Sequence, residues 1–373
     1  MNAWVNSALM KQKEKRITIG LDLGERRHWF CALNGQGEVV EQGSVGNDRS
    51  SLAQLRARYG GALVVMEAGA HSPWISRYLE GLGLEVIVSN PRKVRAIYQH
   101  ERKCDERDAL MLARIGRMDP ALLYPVRHCS EEAQQDLLRI KLRDSLVRAR
   151  VSLINSVRFS LKSLGYSVRN PSSERFHKVV METLPEAVGK MILPSVQALA
   201  ELSARIKVLE REIDWLARIK YPQALWLQEV PGVGSLIALY FVLKIEDPRR
   251  FEHIRDVGAY VGLCPRRDQS GGNDPQLRIT KRGDAYLRRL LVSAAQYILG
   301  PFGPPSALRD YGLKLAAEGT ARAKKRAVVA VARKLCVLLL NLWKNHTAYQ
   351  PYPTGRTLRT TQSGTIAIHR VEA

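Results

Sequence analysis

Residues 17–24, Ile17-Thr-Ile-Gly-Leu-Asp-Leu-Gly24, read as a short apolar strand that ends on a carboxylate. Aliphatic and β-branched side chains favour the pleated state, and Gly24 supplies the turn that follows. Outward from it, 28–33 and 38–45 repeat the pattern, and Asn34-Gly-Gln-Gly37 between them has the composition of a hairpin turn. Three strands joined in this way make an antiparallel meander. A fourth apolar run, 62–67, ends on Glu67; a helix is expected over 73–82, a fifth strand over 84–89, and further helix after Pro91 and over 105–118. A meander followed by alternating strand and helix is an α/β domain of the ribonuclease H type.

Four carboxylates stand out in this region. Asp22 ends the first strand and Glu67 the fourth, so pairing of these strands brings both to one sheet edge. Asp105 and Asp108 in Lys103-Cys-Asp-Glu-Arg-Asp108 are three apart and share a helix face. Clustered acids are costly without a cation, and a divalent ion used in phosphodiester chemistry explains them. An acid after a strand is also a common turn residue, and Asp105 with Asp108 would suit a helix start. The pattern alone leaves both readings open.

The charge balance points to a polyanionic partner. The chain of 373 residues has a formal charge of +22, of which residues 1–120 carry +4 and the remainder +18. Basic surface therefore lies mainly outside the carboxylate-bearing segment, as suits one domain for metal chemistry and others that hold nucleic acid. An anionic membrane is a weaker match, because the helical stripes suit packing rather than a lipid-facing basic helix. Residues 1–16 have no signal-peptide core, and the apolar stretch 328–343 is broken by Arg333 and Lys334, so a soluble cytoplasmic protein is expected. Five scattered cysteines and eight histidines show neither disulfide nor zinc spacing.

From about 130 to 220 the chain reads as long helices. Leu199, Leu202, Ile206, Leu209, Ile213 and Leu216 follow an a/d heptad seam, and Leu138, Leu142, Leu146 and Val147 make an earlier stripe. Such helices pack as a hairpin within one chain or pair between subunits. Beyond them, Val230-Pro-Gly-Val-Gly-Ser-Leu-Ile237 places Gly232 and Gly234 at the turn of a helix-hairpin-helix element, whose amides suit a backbone phosphate. A plain tight turn is the alternative, and the surrounding positive charge favours the phosphate-binding reading. The Gly-rich loop Gly262-Leu-Cys-Pro-Arg-Arg-Asp-Gln-Ser-Gly-Gly272 is flanked by Arg266, Arg267, Lys281 and Arg282, an anion-binding setting with the Ser270 hydroxyl at its centre. Residues after His346 read as a loosely ordered tail.

Taken in order, Gly20-Leu-Asp-Leu-Gly24, Met66-Glu-Ala68, Lys103-Cys-Asp-Glu-Arg-Asp-Ala109, Pro231-Gly-Val-Gly234, Gly262-Leu-Cys-Pro265, Ser270-Gly271 and Ile279-Thr-Lys-Arg-Gly283 resemble the DEDD transposases of insertion-sequence family 110, including its 1111 group. The resemblance covers about 17–345. It implies α/β plus α architecture: a mobile 1–14, a RuvC-like catalytic domain over 15–125, a helical coiled-coil connector over 126–220, a mainly α transposase domain over 221–346 and a tail over 347–373. It further implies that Asp22, Glu67, Asp105 and Asp108 bind Mg2+, with Mn2+ as a substitute, and that Ser270 is the nucleophile. Implied partners are donor and target double-stranded DNA, a non-coding bridge RNA that pairs with both, and further copies of the chain in a homodimer or homotetramer. Two departures from the usual family pattern, Cys104 and the Ala68-Gly-Ala-His71 turn after Glu67, leave all four acids in place.

Such chemistry is physically coherent. A water nucleophile would discard the energy of the broken strand, whereas a phosphoserine ester stores it for rejoining. Serine is a poor nucleophile at neutral pH, so the metal site would have to assist, with Arg266, Arg267 and Lys281 as candidate charge stabilisers. The alternatives are a metal-dependent junction resolvase in which water attacks, and a nucleic-acid-binding protein without catalysis.

Overall fold

The computed structural model describes residues 16–94, 104–168, 171–270, 272–275, 277–353, 356–360 and 366–370. The expected mobile segment 1–14 lies outside them. The chain divides into two compact units, Met1–Glu131 and Glu132–Ala373. The helical and carboxy-terminal regions share the second unit.

The first unit is a mixed α/β layer. Strands β1 (Thr18–Asp22), β2 (Arg27–Leu33) and β3 (Val39–Gly46) form the antiparallel meander, and β4 (Leu63–Glu67) and β5 (Glu85–Ser89) add parallel to β1, giving the order β3-β2-β1-β4-β5. Helices α1 (Arg49–Arg58) and α2 (Ser72–Gly81) cover one face, where Ile19, Leu21, Val64 and Met66 pack with Leu52, Leu55, Ile75 and Leu79. After the short α3 (Pro91–Val94), helix α4 (Asp105–Met118) covers the other face through Leu63 and Val65 with Leu112 and Ile115, and Cys31 and Leu33 with Ala109 and Ala113. Helix α1 was not legible as a helix: only Leu52 and Leu55 are buried, and its start rests on Asp48, whose carboxylate accepts from the Ser51 amide at 2.9 Å. Bonds from the Ser50 and Ser51 hydroxyls at 2.6 and 2.7 Å, and then the Ser51 amide, hold the Asp48 carboxyl well below its ordinary range, at about 2.

The second unit opens with two long helices, α5 (Glu131–Ser163) and α7 (Glu186–Trp215), joined through α6 (Phe176–Thr183). At 33 residues α5 is ~50 Å long. The pair is antiparallel, since Arg143 meets Glu210 while Arg139, one turn earlier, meets Glu212. Leu199, Ile206, Ile213 and Leu216 of the expected seam are buried within this chain. The stripe on α5 is corrected: Leu138 and Leu142 are 53% and 50% exposed, and the buried line runs through Leu137, Ile140, Ile154, Val157 and Leu161. One step of rotation along the helix separates the two lines, and the sequence offers leucines on both.

A π-helical turn, Leu216–Lys220, closes α7. There the buried Asp136 of α5 accepts from Arg139 at 2.8 Å, Lys220 at 2.6 Å and the Tyr221 hydroxyl at 2.7 Å. Burial first, then the bond to Asp136, pushes the Tyr221 hydroxyl above its ordinary value. A carboxylate so deep in the fold is tolerable because every donor around it is satisfied.

The remainder is mainly helical: α8 (Gln223–Gln228), the largely apolar α9 (Ser235–Ile245), buried from Ala238 to Leu243, α10 (Asp256–Tyr260), α11 (Ala285–Leu299), α12 (Ala307–Ala316) and α13 (Ala321–Asn345). The expected loose tail is also corrected, since β6 (Arg356–Thr360) pairs antiparallel with β7 (Ile366–Arg370). Ile366-Ala-Ile-His is short, lacks a strict period of two and follows the polar stretch Thr360-Thr-Gln-Ser-Gly-Thr365, which hid the strand. The five cysteines are free, and no helix among the described residues is long and apolar enough to cross a membrane.

Candidate active site

Side chains alternate between sheet faces, and parity decides where the strand acids go. On β1, Ile19 and Leu21 face α1 and α2, so Gly20 and Asp22 face α4. On β4, Val64 and Met66 face α1 and α2, so Leu63, Val65 and Glu67 face α4. The parallel register pairs Gly20 with Val65 and Leu21 with Met66, which sets Asp22 and Glu67 side by side at the carboxyl ends of adjacent strands. Both are half-buried.

Helix α4 brings the other two acids to that end. Arg117, in its last turn, donates to the Gly35 carbonyl at the β2–β3 turn, beside the amino-terminal end of β1. The helix therefore runs against β1, and its first turn, with Asp105, Glu106 and Asp108, heads the Asp22 end of the sheet. Asp108 is half-buried and Asp105 exposed. The acids also complement the positive end of the helix dipole.

Gly20 is the residue that permits this approach. A methyl group there would stand 1.9 Å from the Ala109 carbonyl oxygen and 2.6 Å from the Ala113 nitrogen, both backbone atoms that cannot swing aside. Gly20→Ala is expected to destabilise the first unit by about 3 kcal/mol, the upper end of overpacking costs, and to move Asp105 and Asp108 out of place. Urea denaturation with a DNA-cleavage assay checks both; unchanged stability would mean that α4 does not rest on β1 as described.

All-oxygen donors of this type suit a hard divalent cation such as magnesium or manganese. Among the described residues no three His, Cys, Asp or Glu side chains come close enough together to hold one ion, so the acids share a sheet end without closing into a coordination shell. Lys103 of the same motif lies outside the described residues. His71 heads α2, hydrogen-bonds to Glu25 at 3.2 Å and accepts from the Trp74 indole at 3.5 Å. Its ring is thereby engaged at the strand-end loops.

In the second unit, the Gly-rich loop is a narrow hairpin arm. Pro265 bridges Ile279, the Arg266 amide donates to the Arg278 carbonyl at 2.9 Å, and Thr280 donates to Cys264 at 2.9 Å. Ser270 and Asn273 exchange backbone bonds of 3.2 and 3.1 Å at the tip, and the Ser270 side chain is exposed. Two glycines lock the base: Gly262, at φ +76, would put a methyl 1.9 Å from the Arg282 carbonyl, and Gly283, at φ +80, would put one 1.9 Å from the Tyr260 carbonyl. Arg267 pairs with Asp274 across the arm at 3.3 Å, and Arg266, Lys281 and Arg282 are exposed around it. Asp284 anchors the return of the chain. It caps α11 through the Leu287 amide at 2.9 Å and accepts from the Tyr240 hydroxyl at 3.0 Å. That role went unread, because an Asp after Gly gives no sign of a distant tyrosine.

Gly232 and Gly234 do lie in a turn between two helices, α8 and α9, with Gly232 at φ +83. Ser235 at the start of α9 donates to the Asp214 carboxylate at 2.7 Å. An acid therefore stands beside this helix start, which weakens its claim as a phosphate site relative to the arm.

Residues 19–165 match a family model described as a DEDD transposase, and 224–311 match one described as the IS116/IS110/IS902 family of transposases. Relatives span most of the chain. It is 28% identical over 341 residues to a transposase for insertion sequence element IS1111A of Coxiella burnetii, covering 89% of this chain and 91% of that one. It is 29% identical over 343 residues to a probable family 20 transposase of Pseudomonas aeruginosa, covering 89% and 98%. A transposase for IS1328 of Yersinia enterocolitica is 29% identical over 282 residues, covering 74% and 82%. The first match contains all four acids and the second contains the serine arm.

Proposed function

Because the chain belongs to the IS116/IS110/IS902 family of transposases, enzymes that cut and rejoin DNA, we propose that it transfers strands through a phosphoserine ester on Ser270, assisted by a divalent-metal site. The observation that carries this reading is the parity of the sheet, which turns Asp22 and Glu67 toward the face whose helix begins with Asp105 and Asp108. Drawn closer together than they stand in this structure, those four residues would hold magnesium, which on binding would supply charge stabilisation to the scissile phosphate.

The Ser270 oxygen bonds to phosphorus, the strand's own P–O bond breaks, and the departing strand oxygen takes up a proton. A hydroxyl from a second strand then attacks the same phosphorus, and the Ser270 oxygen leaves and is reprotonated. No bond energy is lost, so no nucleotide triphosphate is consumed. Exposure at the tip of a hairpin suits a nucleophile that must reach a duplex, and Arg266 and Lys281 supply positive charge to phosphate near it. An assembly of two or four copies would hold donor and target duplexes together, in the cytoplasm beside the nucleoid.

Choice of DNA site would rest on a bridge RNA made from sequence beside the gene, leaving the protein to read backbone and shape. Sequencing the RNA that co-purifies with the protein from cells carrying its native flanking DNA is the test. One dominant short RNA from beside the gene is the expected result; bulk cellular RNA alone would defeat guided recognition and favour an unguided resolvase.

A further inference from the structure

One concavity extends beyond the sites above and shares with them only the base of the serine arm. It is a groove of about 1830 Å³ within the second unit, walled by α12, α13, the base of the serine arm and residues 349–353. That exceeds the ~300–1,000 Å³ of a small-molecule pocket and calls for a polymer. Its α13 wall repeats every three to four residues from Ala321 to Asn341, so one helix face about 30 Å long lines it.

The lining has two parts. Eight Lys or Arg and no Asp or Glu border the groove, among them Arg322, Lys325, Arg326 and Arg333 of α13, with Arg255 and Arg278 opposite. The floor is apolar and aromatic: Tyr311, Leu315, Val329, Val337, Leu338 and Tyr349. Cations without acids demand a polyanion. A duplex offers phosphates but keeps its bases stacked inside, and would leave this floor uncovered. An unpaired strand offers both phosphates and base faces, which stack on aromatic and apolar side chains. The chain's own end is a poor occupant, because residues 356–373 carry three Arg against one Glu.

We propose that this groove binds a single strand of nucleic acid and leads it past the base of the arm that carries Ser270. Pro265, Arg278 and Ile279 belong both to the groove wall and to the arm's base pairing, so a strand lying in the groove passes directly under the arm. The inference rests on the strand-transfer reading, in which the enzyme must hold strands that have left their duplex.

The test is fluorescence anisotropy with a labelled unstructured single-stranded DNA, the same sequence as RNA, and the DNA duplex, in buffer without divalent metal. The triple variant Arg322→Ala, Lys325→Ala, Arg326→Ala is expected to weaken single-strand binding at least about tenfold and to lower the slope of log K against log salt by about 2, at ~0.7 per phosphate lost. Duplex binding should change far less. A control with Lys207→Ala, Lys314→Ala and Lys324→Ala removes as much charge outside the groove and should leave single-strand binding near wild type. Tyr311→Ala keeps every charge and should weaken only single strands, by about tenfold. Loss confined to the RNA arm assigns a looped-out stretch of RNA, and loss confined to the DNA arm a freed DNA strand; both support the groove. Equal loss for duplex and single strand, or an equal effect of the control, overturns it. Ser270→Ala protein should bind single strands as wild type does, so failure of the covalent chemistry and failure of the groove are read separately.

Discussion

Ser270→Ala is expected to abolish the covalent protein–DNA product and to lower strand transfer by about 10⁴-fold or more, the scale seen when a nucleophile is removed from a catalytic unit. The change is confined to one oxygen atom. Ser270 holds its place in the hairpin through its backbone, exchanging bonds with Asn273, so alanine leaves the arm's geometry and its cations intact. DNA binding should therefore persist while chemistry fails. A suicide substrate nicked near the junction, resolved on a denaturing gel with and without protease, reads the adduct directly. If the alanine protein still cuts with unchanged rate and no adduct forms with wild type, water is the nucleophile and the chain works as a resolvase.

The same arm illustrates what the sequence made legible and what it hid. Its glycines, serine and flanking arginines were visible as a loop, since composition alone marks flexible anion-binding segments. That the loop is a hairpin was not visible, because the return strand around Arg278 to Lys281 has no period-two pattern. Its lock, Gly262 against Arg282 and Gly283 against Tyr260, joins backbone segments some twenty residues apart and leaves no local trace. Helix α4 shows the opposite case: acids in the first turn and an apolar stripe behind them placed it at 105–118, the span observed. The basic run Ala321-Arg-Ala-Lys-Lys-Arg326 was equally plain as letters. Only the segments folded opposite it turn that run into one wall of a groove.

Asp22→Asn is expected to lower DNA cleavage by about 10³-fold, or about 4 kcal/mol of transition-state stabilisation, with little change in DNA affinity. Asparagine keeps the size and most of the hydrogen-bonding capacity of the side chain and removes only its charge. If Asp22 served merely as a turn residue at the end of β1, that exchange would cost at most a fraction of the activity, because Asn suits such positions as well as Asp. If it ligates a cation, the loss follows from weaker metal binding and should be partly recovered by raising magnesium or manganese. The β1–β4 register predicts that Glu67→Gln behaves in the same way, since it ends the adjacent strand on the same face. Metal titrations of cleavage by wild type and the two variants separate these readings. Matching rightward shifts for both variants would make the two strand ends one site, whereas full activity of Asp22→Asn in low magnesium would remove Asp22 from the chemistry and leave it as the cap its sequence position also allows.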